Sequence, residues 1–468
     1  MKSNLKNTHP EFLNILLQIC GHNNVQIGSD LNELYGKDEA TKQIYKFDYL
    51  VKPSNEFQIS EILKACNIYN VPVTPRGGGS GVSGGAVPLQ GGLILSTEKL
   101  NKIIEINTPD KFVIAECGVV TDFLCNEVEE KGLYFPIRPG SSSMSFIGGN
   151  VAENSAGINS LKYGTTKDYV LNLQVVLPNG EIIWTGANTS KNSTGLNITQ
   201  LFVGSEGILG IITKVVFRLI SKPLYEFTLM AEFNSLKNLC DSVASISQSN
   251  LSPSAIEIVD EFSGNLTSDF LAGKTLPEET KKNAVLLVNF DGNIQELLDE
   301  QLENCYEIIK DTMSGEVLIA KTQMEKEKLW KIRMNIGGAL TEGDRVYRDI
   351  DLAVPVSRLY EFITGVNTIS ESFQVKIACF GHAGNGNLHT MVSVDNPSGL
   401  QKNNVMQAID LIYQTGIEMG GTISGEHGIG ILQKKYMPLQ FGPAYLDLTK
   451  EIKKAFDPRN LINPGKII

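Results

Sequence analysis

This 468-residue chain is short of several features, and each shortage closes off a class of protein. Its seven cysteines (Cys20, Cys66, Cys117, Cys125, Cys240, Cys305, Cys379) are odd in number, scattered and never spaced C-x-x-C. That pattern excludes a disulfide framework, a zinc ribbon and a resident iron–sulfur cluster. No apolar run approaches the roughly 20 residues that a membrane helix needs. The early stretch ILLQIC (15–20) is too short and too soon polar to be the core of a secretion signal, so a cytoplasmic location is expected, with membrane contact only through a partner. Positive charge is in deficit, 41 Lys and Arg against 52 Asp and Glu, which argues against a nucleic-acid partner. Low-complexity tracts, charge blocks and internal repeats are missing as well. Histidine is also scarce. Of five, His9 and His22 lie in ordinary polar surroundings and read as surface residues, and the other three fall in two glycine-rich phrases.

What remains is a chain with 42% hydrophobic and 20% charged residues, ordinary for a soluble enzyme and long enough for two or three domains. Its first half is marked by glycine. In VPVTPRGGGSGVSGGAVPLQGGLILST (71–97) a β-branched run enters, a glycine-rich loop follows, and the run LILS leaves. Gly79, Gly81 and Gly84 match G-x-G-x-x-G, but Gly85, Pro88, Gly91 and Gly92 forbid the helix that a dinucleotide fingerprint must open. A loop of this kind can still wrap backbone N–H groups around a diphosphate, with Arg76 adding charge. On composition alone, a flexible surface loop stays open as the alternative. PGSSSMSFIGGNVAENSAG (139–157) is rich in small hydroxyls and glycine. NLQVVLPNGEIIWTG (172–186) predicts a hairpin turning at Pro178-Asn179-Gly180. LFVGSEGILGIITKVVFRL (201–219) predicts a glycine turn and a strand.

The second half reads differently. Glycine thins, AVLLVNFDG (284–292) and FQVKIACFGH (373–382) predict strands, and NIQELLDEQLENCYEIIKD (293–311) predicts a helix with Ile294, Leu297, Leu298 and Leu302 on its packed stripe. The phrases GHAGNGNLH (381–389) and GEHGIG (425–430) carry the candidate chemistry. His382 and His389 are seven residues apart, a spacing that puts them on opposite faces of a continuous strand. They can serve one site only if Gly384 and Gly386 let the chain bend. With Glu426 they make a two-His, one-carboxylate set suited to a divalent metal such as Zn, Fe or Mn. Adjacent side chains diverge, so Glu426 is assigned as ligand and His427 as general base. On spacing alone, His382 and His389 as core or cofactor-contact residues without a metal stays open. Trp330 and Arg333 form W-x-x-R, and Arg333 and Arg348 are candidate clamps for a substrate carboxylate. For Arg348 and its neighbour Arg345, a surface ion pair with Asp344, Asp349 or Asp351 is the competing assignment.

Taken in order, PRGGGSG, PGSSSMSFIGGNVAENSAG, YGTTKDYVLNLQVVLPNGE, FVGSEGILGIIT and FDPRNLINPGKI (456–467) resemble the vanillyl-alcohol oxidase and p-cresol methylhydroxylase superfamily over nearly the whole chain. The resemblance implies an α+β fold. It comprises an N-terminal helical segment (1–42), a two-subdomain FAD-binding domain (43–222), an α+β substrate or cap domain (223–424) and a C-terminal segment (425–468). It implies FAD lined by Pro75, Arg76, Gly77, Gly78, Gly79, Ser80, Gly81, Pro139, Gly140, Ser141, Ser142, Gly148, Gly149, Asn150, Asn154, Gly157, Glu206, Gly207, Gly210, Ile212 and Asn463. Some relatives attach FAD through a histidine in the first loop. None stands there in this chain, so non-covalent FAD is expected.

GHAGNGNLH and GEHGIG are similar to phrases of the D-lactate, glycolate and D-2-hydroxyglutarate dehydrogenase branch. The resemblance implies metal ligands His382, His389 and Glu426, with His427 removing the hydroxyl proton while hydride passes to flavin N5. Asn385 stands where relatives often have Asp. Arg348 is placed where D-2-hydroxyglutarate dehydrogenases carry Lys, and Gly337 and Met391 replace polar residues of that subgroup, which favours a monocarboxylate such as lactate. Expected partners are a small 2-hydroxy acid and an acceptor other than NAD: a quinone, an electron-transferring flavoprotein, a cytochrome or an iron–sulfur subunit. Assembly as a homodimer is left open. The competing functions are a non-catalytic electron-transfer subunit of a glycolate oxidase complex and a non-redox flavoenzyme resembling alkyl-dihydroxyacetonephosphate synthase.

Overall fold

The computed structural model describes residues 9–40, 43–273, 283–341, 345–395 and 399–468, excepting the side chains of 345–347, 395, 399 and 400. The chain divides into two compact units. The first comprises Met1–Gly157, Gly164–Lys222 and Glu426–Ile468, and the second Ile158–Tyr163 and Pro223–Gly425. The short excursion at 158–163 has no signal in the sequence.

The first unit holds two sheets of moderate size. Its strands are Val25–Ile27 (β1), Tyr49–Val51 (β2), Val73–Arg76 (β3), Leu93–Ser96 (β4), Ile103–Asn107 (β5), Phe112–Glu116 (β6), Leu133–Tyr134 (β7), Val170–Val176 (β8), Ile182–Trp184 (β9), Ile211–Arg218 (β10) and Ile220–Ser221 (β11). One sheet runs β1-β2-β4-β3, and its β2, β4 and β3 are parallel. The helix Glu56–Tyr69 makes the crossover between β2 and β3. Asn55 caps its start by accepting from Gln58 N–H, and Asn70 ends it in the left-handed region, two positions that asparagine suits. The other sheet, β5-β6-β10-β8-β9, is antiparallel throughout. β8 and β9 form the predicted hairpin, and β10 is the strand predicted after the GSEG turn. No helix forms across residues 77–92. The two sheets are the subdomains that the resemblance implied.

The second unit is built on one antiparallel sheet: Tyr225–Phe233 (β12), Ala255–Val259 (β13), Ala284–Gly292 (β14), Leu318–Ala320 (β15), Arg345–Ala353 (β16), Lys376–His382 (β17) and Asn387–Asp395 (β18). The order is β15-β12-β14-β13-β17-β18-β16. Helices Glu261–Ala272 and Gln323–Thr341 cover one face, and helices Leu236–Gln248, Gln295–Ile309, Leu359–Phe373 and Gly399–Glu418 cover the other. A sheet covered on both faces explains why AVLLVNF is apolar but for Asn289 and buried from Ala284 to Phe290. The predicted helix in 293–311 spans Gln295–Ile309, but its buried stripe is Leu298, Leu302, Cys305 and Ile309. Ile294 and Leu297 were assigned to that stripe and are 53% and 51% exposed. Ile294 precedes the first helical turn, and Leu297 points about 100° away from Leu298.

All seven cysteines are buried and unpaired by disulfides. Burial pushes their thiols up, Cys117 to about 12 and Cys125 to about 11, so they act as small core residues rather than nucleophiles.

Candidate active site

In the first unit the glycines of the two loops meet. An ideal Cβ on Gly77 would lie 3.6 Å from Phe146 Cβ and 4.0 Å from Gly149 Cα. One on Gly78 would lie 2.2 Å from the Met144 carbonyl oxygen, so only glycine lets the 75–81 loop pack on the 139–149 loop. Gly79 has φ +74, and Arg76 packs against it, donating from Nη1 to Lys37 O at 2.6 Å. At Gly149 a Cβ would meet nothing within 4 Å. Gly77 and Gly78 thus seat the first loop on the second, and Gly149 leaves open backbone there that a nucleotide cofactor can approach closely. Ser141 and Ser142 are partly exposed on the rim of the second loop.

Several residues assigned to cofactor binding have their side chains engaged within the protein. Asn150 is buried and donates to Thr121 Oγ1 at 2.8 Å. Asn154 takes a left-handed conformation and accepts from Lys167 N–H and the Thr165 hydroxyl. Ile212 is buried within β10. Asn463 donates to the carbonyls of Gly85 and Glu206. Gly148, Gly157 and Gly210 are close-packing positions, each with a protein atom within 2.9 Å of an ideal Cβ. Of these, Asn154 and Asn463 satisfy backbone groups of neighbouring turns, the usual work of an amide in a tight loop.

Glu206, also assigned to the cofactor, accepts N–H bonds from Ile429 and Gly430, both at 2.6 Å. It thereby holds the loop that carries His427. Burial raises its carboxyl to about 7 against the pull of those two bonds. Nearby Glu153 is raised to about 8, first by burial and then by Glu206, with His427 opposing. Glu426 Oε1 and His427 Nε2 lie 3.7 Å apart. These two side chains converge where divergence was expected, because residues 425–427 form a bend and not a strand. Sequence reasoning also missed Lys466, which is 1% exposed and donates to Val87 O at 2.6 Å and Asn463 Oδ1 at 3.1 Å. Burial lowers its pKa to about 8.

In the second unit β17 and β18 are joined by the turn Ala383–Asn385 and by Gly386 at φ +72. Gly386 passes so close to the edge of β16 that an ideal Cβ would lie 1.8 Å from Val354 O. The register pairs Phe380 with His389 and His382 with Asn387, which puts both histidines on one face. Their rings are 5.6 Å apart, centre to centre, and nearly perpendicular. Each offers a nitrogen within 4.8 Å of the other's. The bend that the two glycines had to supply is therefore present, and the histidine pair is of a size to hold one metal ion.

The same face carries three acidic residues around the pair. Glu257 on β13 is fully buried, its Oε1 2.5 Å from His382 Nδ1 and its Oε2 accepting from Arg333 Nε at 2.7 Å. Burial works to raise the Glu257 carboxyl, but His382 and Arg333 outweigh it and hold it below the ordinary carboxylate range. Asp349 Oδ1 lies 3.7 Å from His389 Nδ1. Asp351, directly opposite His389 in the register, accepts from Asn387 Nδ2 and the Ser424 hydroxyl. Its carbonyl accepts from Gly425 N–H, which anchors the residue preceding Glu426. Arg333 projects from helix Gln323–Thr341 with its guanidinium 5.2 Å from the Phe380 ring centre. Trp330, one turn earlier, donates to Thr228 Oγ1. Asn385 donates to Ser160 Oγ at 3.0 Å, which ties the 158–163 excursion to the turn.

Arg348 and its neighbour Asp349 part company on β16. β16 pairs with β18 without a register shift, Asp349 opposite Met391 and Arg348 opposite Val392. Strand alternation therefore starts the Arg348 side chain on the opposite face from Asp349, Asp351 and the histidines. It starts on the side of the sheet away from the two aspartates offered as its ion-pair partners. Asp344 and the side chain of Arg345 lie outside the described residues. Glu257 was missed altogether, although a lone charge in the apolar strand AIEIV was a signal that it had buried partners.

Comparison with known proteins places the chain in a family. Residues 222–467 match the C-terminal domain of FAD linked oxidases, and residues 47–186 match a FAD binding domain. The glycolate oxidase subunit GlcD of Bacillus subtilis is 37% identical over 97% of this chain and 95% of its own. A D-lactate dehydrogenase of Anaerostipes hadrus is 36% identical over 95% of this chain and 94% of its own. The structure of p-cresol methylhydroxylase superposes with a TM-score of 0.80 at 17% identity, covering 100% of this chain and 97% of that one. The chain thus belongs to the FAD-linked oxidases and is an FAD-dependent oxidoreductase with the p-cresol methylhydroxylase fold.

Proposed function

We propose that this protein oxidises a D-2-hydroxy acid, D-lactate first and glycolate second, to the 2-oxo acid and passes the electrons to an acceptor other than NAD. The observation that carries the reading is the set on one face of the second unit. Two histidines lie at metal-sharing distance, and an arginine is held beside them by the same buried carboxylate. The names of the relatives point the same way.

His382, His389 and Glu426 hold a divalent metal in this proposal, and the open backbone at Gly149 faces non-covalent FAD. When bound, the flavin supplies the two-electron acceptor and the metal lowers the pKa of the substrate hydroxyl. Arg333 receives the substrate carboxylate with its Nη groups, since its Nε is committed to Glu257. His427 takes the hydroxyl proton. Asp349 places a negative charge on the face where a second substrate carboxylate would have to lie, with Met391 opposite it, which favours monocarboxylates.

The test is anaerobic mixing of the yellow protein with D-lactate, L-lactate, glycolate and D-2-hydroxyglutarate, before and after treatment with a chelator, following flavin absorbance. The expected result is rapid bleaching by a D-monocarboxylate, lost on chelation and restored by a divalent metal. Bleaching that survives chelation removes the metal from the proposal. No bleaching by any of the four overturns it in favour of an electron-transfer or non-redox role.

A further inference from the structure

We propose that Glu257 is a positioning residue shared by the metal-binding and carboxylate-binding halves of this site, and that it couples occupancy of one to occupancy of the other. The inference rests on the reading above but assigns a role that the reading does not need. Glu257 sits in the middle of β13 with no exposed surface, and every residue of that strand is buried. A carboxylate in such a place is tolerated only when both oxygens are paired. Here they are paired to two different functions: Oε1 to His382 Nδ1 and Oε2 to Arg333 Nε.

The consequence on the histidine side is a fixed tautomer. With Nδ1–H donated to Glu257, the lone pair left for a metal is on Nε2. The consequence on the arginine side is a fixed fork. With Nε–H committed and the guanidinium over Phe380, the remaining Nη donors have one plane in which to meet a substrate carboxylate. The two oxygens belong to one rigid planar group. A metal that draws charge from His382 strengthens its bond to Oε1, and the carboxylate that is thereby fixed holds Arg333 through Oε2. By reciprocity, a carboxylate gripped by Arg333 tightens the metal site by the same factor. Glutamine cannot replace this. Its one oxygen accepts from one partner, and its NH2 then faces a donor on the other.

The experiment uses the full-length FAD-loaded protein. Zn2+ and Mn2+ affinities are measured by competition with a chromophoric chelator, with and without pyruvate, in wild type, E257Q, E257D and H382A. KM and kcat for the reactive hydroxy acid are recorded at saturating metal. E257Q is expected to lower metal affinity roughly 10–100-fold. It should also raise KM more than it lowers kcat, and abolish the tightening of metal by pyruvate seen in wild type. E257D, which keeps the charge but not the reach, is expected to fall between. If H382A loses metal while both Glu257 variants keep wild-type affinity, the shared role is overturned and the proposed function stands. Retention of wild-type metal affinity by H382A overturns the metal assignment itself, and this inference with it. A purely structural Glu257 would reduce yield and melting temperature but leave the folded fraction with normal metal affinity and KM, which also overturns the proposal. Should E257Q fail to fold, E257D alone decides by the same criterion.

Discussion

The two units prepare for their ligands by opposite means. The first does so mainly with backbone: Gly77 and Gly78 seat one loop on another, Gly149 leaves an open backbone wall, and the charged groups Glu153 and Glu206 are raised toward neutrality by burial. The second does so with side chains, each polar tip fixed by a charge on another strand or helix. A backbone wall is specified by short contiguous phrases, because removing side chains is a local act. A charged constellation is specified by residues far apart in the chain, because each charge needs a partner that the fold delivers. Substitutions should therefore act differently in the two units: shape changes in the first should cost cofactor, and charge changes in the second should cost chemistry or selectivity.

The largest effect expected is at His427, the residue of the first unit that breaks this pattern by carrying chemistry. His427→Asn preserves size and polarity but removes the base. The rate of flavin reduction should fall roughly 10²–10⁴-fold while FAD and metal content stay at wild-type levels. A reduction rate within a few-fold of wild type would remove His427 from proton abstraction.

Next in size is a pair of glycine substitutions. Gly78→Ala drives a Cβ to 2.2 Å from the Met144 carbonyl, so it should destabilise the loop with or without cofactor. Gly149→Ala meets nothing within 4 Å and lies inside the helix Ile147–Glu153, where alanine is better by roughly 1 kcal/mol. Its apoprotein should melt at or above the wild-type temperature, yet bind FAD about tenfold more weakly if the wall faces the flavin nucleotide, since one methyl at a close contact costs roughly 1–3 kcal/mol. Flavin titration of apoprotein reads both. Undiminished affinity in Gly149→Ala would mean that the cofactor does not use this wall.

Much of this was legible beforehand, and the remainder was hidden for physical reasons. The glycine loops, the 174–184 hairpin, β10, β14 and the His-Gly-Gly-His turn could be read because turn chemistry and strand periodicity are local. Glu257 could not be placed, because its partners lie 125 and 76 residues away and only sheet register brings them together. The facing of Arg348 was hidden for a related reason: next to Asp349 in sequence, it starts on the other face of the sheet, and one residue of register decides which of them starts beside His389. Asn150 and Asn154 matched a phrase, but the phrase does not tell that their side chains are held by the Thr121 hydroxyl and the Lys167 N–H.

That single residue of register supplies the next test. With Asp349, and not Arg348, on the histidine face, the site should repel a second carboxylate. Asp349→Asn should raise kcat/KM for D-2-hydroxyglutarate relative to D-lactate by about tenfold, the effect of removing one like charge at close range in a partly buried site. Arg348→Met should leave that ratio unchanged. The reverse outcome would restore Arg348 to the substrate and overturn the facing read from β16.

The smallest effect expected concerns the buried acids of the first unit. Folding carries the Glu153 carboxyl from its ordinary 4.5 up to about 8, so the folded protein takes up a proton there. The stability linked to that proton is present in full below pH 4.5 and is lost as the pH climbs toward 8. Glu153→Gln is neutral throughout and should escape the loss. Relative to wild type, it should gain stability across this window, on the order of 1–3 kcal/mol by the top of it. Glu206, raised to about 7 and still present, keeps a shallower slope in both proteins. Melting followed by release of flavin fluorescence reads the first unit directly. Wild-type and variant curves that run parallel from pH 5 to 8 would show that Glu153 is ionised in the fold. The contrast between a first unit of neutral surfaces and a second of paired charges would then fail at its most buried acid.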